Sequence, residues 1–438
     1  MKISKILILG FGSVGQGLIP VLTRELGITT QDIQVLTADH RGQWLADKLS
    51  ISHRVERITV ENYTTLLADY SDVDLVINVT VDVSSKDVMT WCQNNGIMYL
   101  DTCVEPWQGG YRDANVLNTT NFFLRENILK VHQEGLPTSV IAHGANPGLV
   151  THFVKRGLVR LAQQRNLDHT KLSWAQLSER LGVRVVQIAE VDTQEADLSF
   201  DSEKFYNTWS VDGFLSELQQ RAEISWGTHE IDQPRDSIMQ NARGTRSLIL
   251  GSRSLDTRVR SWNPEFGEVS ATVVTHHETL SIAEMLTGSE YQPTVYYAYT
   301  PCPLARKSLE VMRARDIDYQ DADKILLTDQ IHSGRDDLGV LFYMDDGSIY
   351  WTGSSLDIKD ARNKISFNTA TTLQVTSSIA GAITWMQEHP TQGVVEAEDL
   401  DYEQVANISL SYLGDTLDVH QHLGFTSLQF SEFTERNT

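Results

Sequence analysis

The sequence predicts an α/β fold: a doubly wound parallel sheet followed by a second, α+β domain. Three observations predict it. A short apolar run, "KISKILILG", flows directly into the spacing Gly10-x-Gly12-x-x-Gly15. Apolar strand-like runs then alternate with helical stretches over the first hundred residues. Beyond the middle of the chain the pattern changes to β-rich segments separated by turns. The first half therefore reads as a Rossmann-type domain.

Taken in order, the opening run is a buried strand, and Val14, Leu18, Val21, Leu22 and Leu26 recur at helical spacing behind the glycines. Pro20 lies inside that pattern and is expected to kink or shorten the helix. The second strand, "IQVLTAD", ends at Asp39, 24 residues after Gly15, where a carboxylate bonds a ribose 2′-hydroxyl and favours NAD over NADP. "VDLVINVTV" and "IMYLDT" are further buried strands with a helical stretch between them. The cofactor contacts are assigned to Gly10, Gly12, Ser13, Val14, Gly15 and Asp39, to Thr80, Asp82 and Thr102 near the later strand ends, and to Asn146.

"SVIAHGANPGLVTHFVKRGLVRLA" repeats the strand-to-helix transition, with Asn146 as N-cap, Pro147 at the first helical position, and Val150, Val154, Leu158 and Leu161 on one face. The domain crossover is placed here. After it, "RVRSWNP", "VSATVVTHHET", "TVYYAYTP" and "LGVLFYMDDGSIYWTGSSL" predict a mostly antiparallel domain, the last segment turning at Asp345-Asp346-Gly347-Ser348. "TATTLQVTSSIAGAITWMQEH" reads as a helix. The expected domains are 1–145 for dinucleotide binding, 146–368 for substrate, and a helical segment 369–438 packing back on the first.

Composition narrows the function classes. At 438 residues and 41% hydrophobic content the chain is too long for one ordinary domain. Three cysteines are too few for a disulfide framework and point to a reducing compartment. Gly10, Ser13, Gly15 and Gln16 interrupt what would otherwise resemble a leader peptide, so the expected location is the cytoplasm. The net charge of −22 argues against nucleic acid, and the lack of a long apolar run argues against a membrane partner. Cationic substrates suit such a chain, but acidity also serves solubility alone.

No CxxC, HExxH or GxSxG spacing is present. His276-His277-Glu278 comes nearest to a metal cluster; on a strand, adjacent histidines face opposite sides, and no metal is assigned. Four acidic or aromatic stretches remain: "DTCVEPW" with Glu105, "IAEVDTQ" with Glu190, "NTWSVDGFLSE" with Trp209 and Glu217, and "WGTHE" with Glu230. Several carboxylates beside an aromatic face suit an organic cation. Singly, each glutamate also reads as a solvated loop residue and Trp209 as packing.

Through "GFGSVGQG", "DTCVEPW", "HGANPGLVTHFV", "IAEVDTQ", "NTWSVDGFLSE", "WGTHE", "RVRSWNP", "VTHHET", "YAYTPCP" and "YWTGSSL" the chain resembles the bacterial homospermidine synthases over nearly its whole length. These are relatives of the saccharopine dehydrogenase-like oxidoreductases. The resemblance implies a homodimer that joins two putrescines into homospermidine with loss of ammonia, using NAD as a recycled hydride carrier, with the second domain serving substrate and dimer contacts. It also implies catalytic roles for Glu190, Glu217 and His276. Trp209 would hold an ammonium by cation–π contact, and Glu105 and Asn146 would bind the substrate. A net NAD-dependent dehydrogenase of the saccharopine or carboxyspermidine type is the competing expectation; its carboxylated substrate calls for an arginine clamp, which none of these motifs offers.

Overall fold

A computed structural model of the chain describes residues 1–315, 323–425 and 427–435. It divides into two units, Met1–Leu149 with Asp360–Tyr412, and Val150–Lys359 with Leu413–Thr438.

In the first unit, strands β1 (Ile6–Leu9), β2 (Ile33–Thr37), β3 (Ser52–Val55), β4 (Leu75–Asn78), β5 (Met98–Asp101) and β6 (Ser139–Val140) form a parallel sheet ordered β3-β2-β1-β4-β5-β6, extended by Val394–Val395. The order reverses direction between β1 and β4, which creates the crevice where such sheets bind dinucleotides. Both faces of the sheet are covered, so β1 is apolar at every position. Ile6 and Ile8 join Leu18, Leu22, Ile379 and Ile383 on one side, while Leu7 and Leu9 join Val76, Met89 and Tyr99 on the other.

Helix α1 (Ser13–Leu26) continues through Pro20 for fourteen residues, so the proline does not shorten it. Asn368 donates from Nδ2 to the Gly17 carbonyl at 3.1 Å, one residue from the Gln16 carbonyl whose usual donor a proline lacks. A side chain on Gly17 would meet Asn368 Oδ1 at 2.6 Å and Thr372 Cγ2 at 2.8 Å; this close approach lets α1 pack on the predicted helix, which runs over Ala370–Glu388.

Asn146 is not a helix N-cap. The helix begins at Leu149, and before it residues 144–148 close a turn, with Gly144 N donating to Pro147 O (2.6 Å) and Gly148 at φ 118°. Gly148 has no room for a side chain, because a Cβ would stand 2.5 Å from the Gly144 carbonyl oxygen.

The second unit is built on β7 (Val183–Asp192), β8 (Arg258–Asn263), β9 (Gly267–Val274), β10 (Thr294–Thr300), β11 (Arg335–Met344), β12 (Ser348–Asp357) and β13 (Asp415–His422). Their order is β8-β9-β10-β7-β11-β12-β13, antiparallel among the described residues except for the β10–β7 pair. The β11–β12 hairpin turns where the sequence places it, with Gly347 at φ 80° and Asp346 accepting the Ser348 N–H at 2.9 Å. A three-stranded sheet (Arg221–Ser225, Ile238–Ala242, Thr245–Arg253) covers one face, packing Ile224, Trp226 and Leu248 against Val185, Ala189, Tyr296 and Tyr343. Strand alternation sends Glu190, Tyr297 and Tyr299 to the opposite face. Among the described residues, no helix is long and apolar enough to cross a membrane.

Candidate active site

The nucleotide cradle lies in the first unit. Gly10 has φ 91°, and a Cβ there would press on the Val79 carbonyl and Thr80 Cγ2 at 3.0 Å. A Cβ on Gly15 would stand 2.5 Å from the Gly10 carbonyl, whereas one on Gly12 would meet nothing within 4 Å. The outer two glycines therefore let the turn and helix close up, and the middle one leaves open space at the start of α1. That helix start has no side-chain cap and no acid in its first turn, so its N–H groups and dipole suit a pyrophosphate. Ser13 and Val14 are its first two residues. These features fit NAD.

At the ends of the next strands a buried chain of hydrogen bonds holds the crevice floor. Thr80 Oγ1 donates to Asn78 Oδ1 (2.6 Å), Asn78 Nδ2 to Tyr99 OH (3.1 Å), Tyr99 OH to Asp101 Oδ2 (2.8 Å), and the Ala142 N–H to Asp101 Oδ1 (2.7 Å). Asp82 follows with φ 64°, and its carbonyl accepts the Gln108 N–H at 3.1 Å. Thr102 is half-buried beside Gly144, whose Cβ position lies 3.4 Å from it. Glu105 is buried, its N–H donating to Ser85 Oγ at 3.0 Å. Asn146 is half-buried in the turn before the helix at Leu149.

In the second unit an acidic and aromatic cluster forms on the open face of β7 and β10. Register sets Tyr299 beside Glu190 and Tyr297 beside Ile188. Tyr297 donates its hydroxyl to Glu190 Oε2 at 2.5 Å, and its ring lies 4.7 Å from the His276 ring. His276 sits between two carboxylates, Nδ1 3.2 Å from both oxygens of Glu278 and Nε2 3.3 Å from Glu217 Oε2. The Glu217 contact has ion-pair distance without hydrogen-bond alignment. Burial works against the imidazolium, but Glu278 and Glu217 outweigh it and hold His276 well above its ordinary pKa. Burial raises the pKa of Glu217 despite the pull of His276.

The stretch "NTWSVDGFLSE" is a helix start. Ser210 caps α2 (Val211–Gln219) by accepting the Gly213 N–H at 3.1 Å. Trp209, just before the cap, packs on Phe214 one turn inside, with centroids 5.2 Å apart, as a hydrophobic staple. Its indole N–H donates to Tyr299 OH at 3.0 Å, and Tyr299 stacks on Tyr297 at 5.6 Å. Glu217 lies one turn past Phe214, so one short helix supplies both the aromatic and the acid. Behind it, Asp192 accepts from Thr208 Oγ1 (2.5 Å) and from Gln194 N (2.8 Å), and burial pushes its carboxyl up to about 6.

Four residues predicted from sequence, Glu190, Trp209, Glu217 and His276, thus share one connected cluster, while Glu105, Asn146 and the other residues expected at the cofactor lie in the first unit. His276 and His277 do not lie on a strand as expected: β9 stops at Val274, and α3 (Glu278–Met285) begins just after the pair. Glu230 belongs elsewhere, accepting from Thr294 Oγ1 (2.7 Å) and from the Phe430 N–H (3.0 Å). The sequence names Glu278 only beside His276 as a metal-like group and assigns no role to Tyr297, Tyr299 or Asp192; the period-two tyrosines of "YYAYT" were the available signal.

Known proteins resemble this chain over most of its length. The model of the saccharopine dehydrogenase NADP binding domain matches residues 6–141, and that of the saccharopine dehydrogenase C-terminal domain matches 144–416. Homospermidine synthase of Mesorhizobium japonicum is 36% identical over 429 residues, covering 93% of this chain and 88% of the relative. That of Blastochloris viridis is 36% identical over 441 residues, 95% of this chain and 91% of its own. The crystal structure of homospermidine synthase from Legionella pneumophila in complex with NAD superposes with a TM-score of 0.90 at 32% identity, covering 99% and 98% of the two chains. Apo saccharopine dehydrogenase of Saccharomyces cerevisiae, at 11% identity and TM-score 0.54, shares the fold. The chain belongs to the homospermidine synthase family of saccharopine dehydrogenase-like proteins.

Proposed function

We propose that the chain condenses two putrescines into homospermidine with release of ammonia and no net redox change. The observation that carries this reading is the buried cluster in which Glu217 and Glu278 flank one His276 imidazolium and Glu190 joins them through Tyr297. Three carboxylates against one cation leave an excess of negative charge, which suits a diamine. NAD held by the Gly10–Gly15 turn and the start of α1 would supply a reversible hydride acceptor.

The residues of the chain act on protons and charge. An alkylammonium has no lone pair to stabilise positive charge at its carbon, so it must first lose a proton. With an amine pKa of about 10.4, that costs roughly 4 kcal/mol near neutral pH. Glu190 accepts this proton, with the Tyr297 hydroxyl orienting its carboxylate. Glu217, held by His276, attracts the distal ammonium. The Trp209 face holds the reacting cation by about 0.5–2 kcal/mol without a formal charge that would raise the amine pKa. Glu105 and Asn146 contact substrate, and Gly10, Gly12, Gly15 and Asp39 hold the dinucleotide.

The assembled enzyme is proposed to be a homodimer in the cytoplasm. Family resemblance supports the first statement, and the low cysteine count, three in 438 residues, supports the second. Light scattering on the purified chain tests the dimer. The activity is tested by incubation with NAD and putrescine, followed by mass spectrometry: homospermidine and ammonia should appear together. Stoichiometric NADH without homospermidine would favour the net dehydrogenase instead.

A further inference from the structure

Trp209 is held from two sides, and both restraints lead back to the strand pair that carries Glu190. The first acts on its side chain: the indole N–H donates to Tyr299 OH at 3.0 Å, and register sets Tyr299 directly beside Glu190. The second acts on its backbone. Thr208, the residue before Trp209, is buried, and its Oγ1 donates to Asp192 Oδ2 at 2.5 Å. Asp192 follows Glu190 by two residues on β7, so the two carboxylates share a face of the sheet. The other oxygen of Asp192 accepts from Gln194 N at 2.8 Å and from Gln194 Nε2 at 3.1 Å, which fixes the carboxylate against rotation.

This anchor sits at a joint. A strand, Lys204–Asn207, ends just before Thr208, and α2 starts at Val211 after the Ser210 cap, so Thr208 and Trp209 belong to neither element. The staple against Phe214 packs the indole, but a hydrophobic contact has no direction and does not choose which way the ring face is turned. Keeping a carboxylate at this joint costs stability. Asp192 is buried and lies directly opposite Asp336 across β7 and β11, also buried, although like charges in register destabilise a sheet. An apolar residue would pack there without that cost. What the carboxylate supplies is a strong, directional acceptor for Thr208.

We infer that Asp192 and Thr208 are positioning residues that, with Tyr299, turn the Trp209 indole face toward the amine deprotonated by Glu190. The inference rests on the proposed cation–π role of Trp209. Because Glu190, Asp192 and Tyr299 stand on two paired strands, the base and the aromatic face are set from one rigid frame. The indole face acts most strongly when positive charge returns to the deprotonated amine in the transition state. A misplaced indole therefore slows the chemical step more than it weakens binding of the diamine.

Turnover of the full-length chain with NAD and putrescine, measured beside melting temperature, tests this. Thr208→Val keeps the side-chain shape and removes the hydroxyl; kcat should fall about ten- to hundredfold, the scale of a small misplacement at a reacting centre, with KM for putrescine nearly unchanged. Thr208→Ser keeps the hydroxyl and should restore kcat. Asp192→Asn replaces one acceptor oxygen by a donor and should lower kcat in the same direction. If these residues act through Trp209, Thr208→Val costs nothing further in a Trp209→Ala background, whereas independent effects would multiply. A folded Thr208→Val with parental kcat overturns the inference, as does a Thr208→Ser no faster than Thr208→Val or a full further loss in the double variant. If Thr208→Val does not fold, the same cycle run with Tyr299→Phe, which removes the acceptor of the indole N–H, decides by the same criteria. Full turnover in Trp209→Ala would instead overturn the cation–π reading, and this inference with it.

Discussion

Replacing Glu278 by Gln removes one of the two carboxylates flanking His276 while keeping the side-chain shape. Both Glu278 oxygens lie 3.2 Å from His276 Nδ1. At an effective dielectric of about 20, a charge pair at that distance is worth roughly 5 kcal/mol. Burial of the imidazolium offsets much of this, and Gln keeps an oxygen that can accept from Nδ1. The expected loss of folding stability is therefore about 1–3 kcal/mol.

That loss has a definite pH dependence. Burial opposes the charge on His276, but Glu278 and Glu217 raise its folded pKa well above the ordinary value of 6.5. A raised histidine contributes stability that is full below the unfolded pKa and disappears as pH rises through the folded one. The gap between parent and Glu278→Gln should thus be widest near pH 6 and narrow as pH rises through the folded pKa of His276. Urea unfolding at pH values of about 6, 7.5 and 9.5 measures it. A gap of equal size at all three would refute the reasoning, because Glu278 would then act through packing alone.

Trp209→Phe keeps the staple against Phe214 but loses the hydrogen bond to Tyr299, so it should lose about 0.5–1.5 kcal/mol of stability and retain partial activity. Trp209→Ala also loses the ring contacts and should lose most turnover, while Trp209→Glu should not rescue it; full turnover in a well-folded Trp209→Ala would end the cation–π role. Glu190→Gln should bind diamine yet show no NADH burst in stopped flow, with Glu217→Gln as control. A normal burst for the first and none for the second would reverse the two assignments. Glu230→Gln should keep turnover, because that carboxylate is engaged by Thr294 and Phe430; Glu230→Ala should expose residues 428–433 to amide exchange.

The dinucleotide unit was legible because its determinants are local. The strand, the three glycines, the helix and Asp39 lie within forty consecutive residues, and each obeys a short-range rule: burial on both faces, close backbone approach, helical periodicity. The β11–β12 hairpin and the helix Ala370–Glu388 were legible for the same reason. Pro20 departed from expectation because α1 packs tightly on that helix, and Asn368 donates a hydrogen bond into the turn next to the proline. Asn146 departed because the close contact of Gly148 with Gly144 forces a turn before the helix can start.

By itself the sequence determined which residues are acidic or aromatic, the fold class and the family motifs. Only the tertiary structure decided which carboxylates work together. Glu190, Glu217, Glu278 and Tyr297 come from β7, α2, α3 and β10, and no periodicity within a segment relates them. Their meeting is set by the parallel register of β7 and β10 and by the end of β9 at Val274, which turns the His276 side chain between two acids. The same contacts separate Glu230 from Glu190, two glutamates that look alike in sequence. One is bonded by Tyr297 in the cluster, and the other anchors the segment at Phe430. A carboxylate's role depends on the charges and donors within a few ångströms, and across strands and helices only packing brings those together.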